Sequence, residues 1–179
     1  MARPLGELTV ARLGEALAAA GPGPAAGSTA AITVALAAGL ATKVAKGAAD
    51  RETVDALDAV RRRALELADE DVAAYSGFLA ARKQPGGLQA AVEGIVQVPL
   101  DVLALAERVA DLAALLADHG PDALVGDAAT AALLAASAAE SAAMLAGANL
   151  ADAGETADPR ADDAEERAGR ARALAERLV

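Results

Sequence analysis

The stretch "GPGPAAGSTAAITVALAAGLATKVAKG", Gly21 to Gly47, decides how the rest of the chain is read. A Pro/Gly turn is followed by fifteen residues, Ser28 to Thr42, that carry no charge. Three explanations fit such a run: a membrane span, a buried core helix, or a ligand-binding turn that opens a buried helix. A span needs about 20 consecutive apolar residues, and this run stops short of that at Lys43. A buried helix is therefore expected, capped by Ser28 or Thr29 and running to about Ala48. Ile32, Val34, Leu36 and Leu40 spread around it, which predicts a central position with neighbours on every side.

Composition agrees with that reading. Of 179 residues, 55 are alanine, and 55% of the chain is hydrophobic. The only aromatic residues are Tyr75 and Phe78. Alanine is the best helix former and a poor strand residue, so the expected class is all-α. The expected architecture is a compact bundle of about five to six helices, two of them buried and Ala-rich. A net charge of −10 disfavours nucleic acid as a partner. The one basic run, Arg61 to Arg63, sits among Asp58, Glu66 and Asp69 and reads as a solvated helix face. With no cysteine and the single histidine His119, neither thiolate chemistry nor a His-cluster metal site is supported. The N-terminal segment has Glu7 and Glu15 and no continuous apolar core, so no signal peptide is read and a cytoplasmic protein without a membrane partner is expected.

Along the chain, Leu8–Ala20 reads as a short amphipathic helix. Asp50 caps a long helix to about Lys83, with a core stripe of Leu57, Val60, Ala64, Leu67, Asp71, Tyr75 and Leu79. "QPGG", Gln84 to Gly87, breaks the chain, and Leu88–Asp118 is helical again, with Pro99 kinking or restarting it. After the loop Asp118–Asp127, a second nearly uncharged helix runs from Ala128 to about Ala151, with Glu140 its only ionisable group. Residues 1–151 are read as the bundle, 152–160 as a linker, and 161–179 as a C-terminal helix docking on the same single domain.

The informative positions are polar residues where periodicity asks for apolar ones. Asp71 lies on the core-facing stripe, where a carboxylate must be paired, hydrogen-bonded or used. A helix N-terminus or an arginine would satisfy it, and so would a catalytic role. Asp127 opens the second buried helix, as an N-cap, a catalytic group, or both. Ser28 is equally ambiguous, because N–H groups at a helix start suit an anionic or carbonyl-bearing ligand. His119 reads as a helix-end residue.

Four stretches, in order, resemble a known family. "PAAGSTAA" (Pro24 to Ala31) resembles the proline, glycine-triplet and serine signature of the formiminotransferase-cyclodeaminase family. "DVAAYSGFLAARK" (Asp71 to Lys83), "VPL" (Val98 to Leu100) and "HGPDALVGDAATAALLAASAAESAAMLAGANL" (His119 to Leu150) are similar to its later elements. Ala25 and Ala26 stand where the family pattern has glycines, and Leu145 where it has an asparagine.

The resemblance implies an all-helical subunit that pairs as a homodimer and acts on a tetrahydrofolate derivative. The family's reactions are cyclisation of 5-formiminotetrahydrofolate to the 5,10-methenyl form with loss of ammonia, and hydrolysis of the methenyl form. No metal or redox cofactor is required. By the same resemblance, Asp127 and Asp71 are the catalytic carboxylates. Gly27 and Ser28 form the turn that meets the ligand, Tyr75 and Asn149 line the pocket, and Lys83 faces an anionic group. Two other functions fit the same residues: the scaffold turned to another substrate, or a non-catalytic helical dimer that binds a metabolite or a partner.

Overall fold

The computed structural model describes residues 3–83 and 88–179. The chain break expected at Gln84 to Gly87 lies outside the described residues. Among the described residues six α-helices form the fold: α1 (Val10–Ala18), α2 (Ala26–Gly47), α3 (Arg51–Ala81), α4 (Leu88–His119), α5 (Val125–Asp152) and α6 (Pro159–Glu176). No strand occurs among the described residues. The all-α bundle expected from alanine content and periodicity is what forms.

Helix ends follow local chemistry where a capping side chain is present. Thr9 accepts from the Arg12 N–H, Asp50 from the Thr53 N–H and Asp158 from the Arg160 N–H. Hydrogen bonds from Thr53 to Asp50, and from Arg160 to Asp158, hold both carboxyls below the usual carboxylate range. Pro99 neither ends nor restarts its helix, since α4 runs through it from Leu88 to His119. His119 closes α4 as its last residue. The basic run is ion-paired on the surface of α3, Arg61 with Asp58 and Arg63 with Glu66 and Glu70. Asp69 turns instead to the Leu5 N–H at 3.0 Å, which pins the N-terminal segment to α3.

Helix α2 packs on α3, α4 and α5, and α5 packs on α2, α4 and α6, so the two Ala-rich helices form the centre of the bundle. The core of α2 is Ala30, Ala31, Ala35, Ala37, Ala38, Ala41 and Ala45 with Val34 and Val44. On α5 it is almost wholly alanine. Side chains this small let helix axes approach closely, so the core is made of backbone proximity rather than interlocked large groups. The same closeness leaves no room for enlargement. Ala38 is fully buried, so Ala38→Leu is expected to destabilise the fold by roughly 1–3 kcal/mol through overpacking. Urea denaturation followed by circular dichroism measures this; an unchanged midpoint would show slack in the core.

Three expectations are corrected. Leu79 is not the end of the α3 core stripe: Phe78 is buried instead, in a second small cluster with Val92, Ile95, Val96 and Leu150. At 3.6 residues per turn, a stripe spaced strictly by fours drifts off the buried face. Length does not separate α2 from a membrane span, because the helix has 22 residues and, like 122–152, suffices by length and composition. Burial distinguishes them, since the greater part of the apolar window in α2 is packed inside the bundle. Nor is α2 covered on every side, for Leu36 is 64% exposed.

Candidate functional site

Helix α2 begins without a capping side chain of its own. Its N-cap residue is Ala25, and Ser28 lies in the first turn rather than at the cap. The missing acceptor comes from α3. Asp71 Oδ2 accepts from the Ser28 N–H at 2.9 Å and from Ser28 Oγ at 2.8 Å. A carboxylate at a helix N-terminus is favoured by the free N–H groups and by the helix dipole. Of the partners open to Asp71 in the sequence, the helix N-terminus is the one it has.

That contact depends on Gly27. A Cβ there would lie 2.0 Å from Asp71 Oδ1 and 2.9 Å from Oδ2, so any side chain at position 27 would displace the carboxylate. Ser28 is fully buried behind it.

A cleft of about 130 Å³ opens beside this pair. It is bounded by the 23–27 turn, Asp71 and Tyr75 of α3, Ile95 and Pro99 of α4, and Leu145 and Asn149 of α5. Tyr75 is half exposed at its rim. Asn149 donates through Nδ2 to the Ile95 carbonyl at 2.6 Å. Ala25, Ala26 and Leu145 make the remaining wall apolar. Wider grooves run along α6, of about 470 Å³ against α4 and about 600 Å³ against α5. Glu107 in the first is already paired with Arg167 and Arg170, and Arg172 in the second with Glu140. The small cleft is where candidate side chains converge.

Gly27, Ser28, Asp71, Tyr75 and Asn149 are thus brought together from α2, α3 and α5. Asp127 and Lys83 are not. Asp127 lies in the first turn of α5, where its Oδ2 meets Lys43 Nζ at 2.5 Å. Lys43 is fifteen residues after Ser28 on α2, about 22 Å along the helix axis. Asp127 does not cap α5 either; the N-cap residue is Leu124, the last residue of a 3-10 turn at Asp122–Leu124. Lys83 follows the end of α3, exposed and outside the cleft lining. Sequence reasoning missed Ile95, Pro99 and Leu145 as lining residues and Lys43 as the partner of Asp127. Pro99, improbable inside a helix, and Leu145, standing where the family pattern has an asparagine, carried a signal. Among the described residues, no cluster of three or more His, Asp or Glu side chains is placed to hold a metal ion.

The family model described as formiminotransferase-cyclodeaminase matches residues 9–170. The chain belongs to the formiminotransferase-cyclodeaminase family. The match spans the cleft, the Lys43–Asp127 pair and most of α6. The bundle is also similar to the crystal structure of formiminotetrahydrofolate cyclodeaminase from Thermotoga maritima. The TM-score is 0.84 at 23% sequence identity, over 97% of this chain and 93% of that one. At that identity the likeness is one of fold. A search of curated protein sequences gives no match. Within the cyclodeaminase family, the cleft beneath the α2 N-terminus is the candidate active site of this chain.

Proposed function

We propose that this chain cyclises 5-formiminotetrahydrofolate to 5,10-methenyltetrahydrofolate with release of ammonia. The observation that carries the reading is the convergence of Gly27, Asp71, Tyr75 and Asn149 on one cleft, with Ser28 holding Asp71 from behind. In the reaction the folate N10 bonds to the formimino carbon and the bond from that carbon to its terminal nitrogen breaks. With the formimino group protonated, the N10 proton leaves on the departing ammonia and the methenyl cation remains, so atoms and charge balance. Asp71 suits both needs. It can carry that one proton from N10 to the leaving nitrogen, and its charge favours the cationic centre before it takes the proton and after it gives it up. Ser28 holds the carboxylate in place. Tyr75 offers a ring face for the pteridine. Lys83, just past the end of α3 on the C-terminal side of Tyr75, suits the carboxylates at the far end of an elongated folate.

Asp127 enters the same reading through a homodimer. The outer stripe of α2 runs through exposed Thr29, Leu36 and Lys43 and half-buried Ile32, Thr33 and Leu40. A two-fold axis at Leu36 pairs Ile32 with the partner's Leu40 and Thr29 with the partner's Lys43, because a C2 interface is self-complementary. The Lys43–Asp127 pair of one subunit then sits beside the Gly27–Ser28–Asp71 end of the other. Leu36→Arg is expected to give a folded monomer with at least about tenfold lower turnover, since it puts a charge on the axis. Light scattering and the assay on the same sample check this; a monomeric wild type, or a fully active monomeric variant, removes the composite site.

The primary test is a rise in methenyltetrahydrofolate absorbance when wild type meets the 5-formimino compound. Falling absorbance from the methenyl compound would assign hydrolysis instead. Absence of both turnover and thermal stabilisation with every tetrahydrofolate tried would overturn the folate reading.

A further inference from the structure

Pro99 raises a question that the fold answers in an unexpected place. A proline inside a helix has no N–H, so the carbonyl four residues earlier loses its helical partner. Here that carbonyl belongs to Ile95, which is buried. A buried carbonyl is normally satisfied from elsewhere, and Asn149 of α5 does so through Nδ2 at 2.6 Å. A carbonyl only accepts, so this bond fixes which end of the carboxamide faces it. The nitrogen is committed to Ile95, and no protein group among the described residues donates to Asn149 Oδ1. Pro99, Ile95 and Asn149 border the cleft together with Asp71. On the opposite wall, Asp71 Oδ2 takes both bonds from Ser28.

We propose that Pro99 is a positioning residue. By freeing the Ile95 carbonyl it orients the Asn149 carboxamide so that Oδ1 is presented to the cleft, and this wall recognises an N–H donor on the ligand. The inference rests on the folate reading above and sharpens it. The 5-formimino group carries an N–H where the 5-formyl group carries an oxygen. An acceptor held by a fixed bond welcomes the first and repels the second.

The test is Pro99→Ala. Alanine restores an N–H at position 99, which returns to the Ile95 carbonyl, and the Asn149 carboxamide is released to rotate. The readout is the ratio of Ki for 5-formyltetrahydrofolate to KM for 5-formiminotetrahydrofolate. A ratio of about 10 or more is expected in wild type, the scale of one mismatched hydrogen bond, falling several-fold in the variant. The thermal midpoint should be unchanged or higher, because the helix gains a hydrogen bond and loses a ring clash. Any general loosening of the cleft by the smaller residue weakens both ligands and leaves the ratio alone. A wild type without selectivity, or a variant that keeps it in full, overturns the proposal. If wild type handles neither folate, the proposed function has failed by itself and a second arm decides. In that arm the side-chain amide signals of Asn149 are followed by NMR during titration with formamidinium and, separately, with N,N-dimethylformamide, which carries no N–H. Shifts by formamidinium in wild type that vanish in Pro99→Ala support the orientation. Equal response to both probes, or to neither, overturns it.

Discussion

Asp71→Asn should reduce turnover of 5-formiminotetrahydrofolate by a factor of about 10² or more while the bundle stays folded. The asparagine keeps an Oδ1 that can accept from the Ser28 N–H and Oγ, so the start of α2 remains satisfied. What it loses is the negative charge beside the cationic carbon and the capacity to carry a proton. Unchanged thermal unfolding with lost activity is the expected pair of measurements. A fully active variant would leave Asp71 as a helix cap alone. The composite dimer adds a second outcome. Asp127→Asn should be impaired too, and re-equilibrated equal mixtures of the two variants should recover about one quarter of wild-type activity. Half of the randomly formed dimers would then carry one intact site out of two. Mixtures as inactive as the separate variants would place Asp127 and Asp71 in the same subunit's site or give Asp127 no part in it.

Gly27→Ala is the second large effect, and it differs in kind. The methyl group would lie 2.0 Å from Asp71 Oδ1, so the carboxylate must leave Ser28. Both Ser28 hydrogen bonds go, and a fully buried serine is left without its acceptor. A loss of about 1–3 kcal/mol in stability is expected from the unsatisfied group, together with an activity loss at least as large as that of Asp71→Asn. Chemical denaturation and the absorbance assay on the same preparation separate the two variants. Wild-type stability in Gly27→Ala would mean that Asp71 has room to move without cost.

Helix number and type were legible because alanine content and 3.6-residue periodicity are local properties. Leu57, Val60, Ala64 and Leu67 are buried as their spacing predicts. Ends were legible where the cap is local, as at Asp50. They were misplaced at Ser28 and Asp127, both of which lie in a first turn instead. In each case the residue just before the helix, Ala25 or Leu124, offers no capping side chain. Sequence pattern alone cannot announce a start that another helix satisfies.

The chain by itself determined an all-helical bundle with two alanine-rich central helices, because propensity and burial are set by residues near in sequence. It also singled out Asp71 as a carboxylate out of place, since a charge on a core stripe needs a partner wherever the stripe packs. Tertiary structure alone decided what that partner is, 43 residues away at Ser28. It alone set Asn149 on the Ile95 carbonyl across 54 residues, and it parted Asp127 from the cleft to meet Lys43 across 84. Hydrogen bonds of this kind act over about 3 Å, and which groups come that close depends on how α2, α3, α4 and α5 cross. No window of sequence shorter than the whole bundle contains that information.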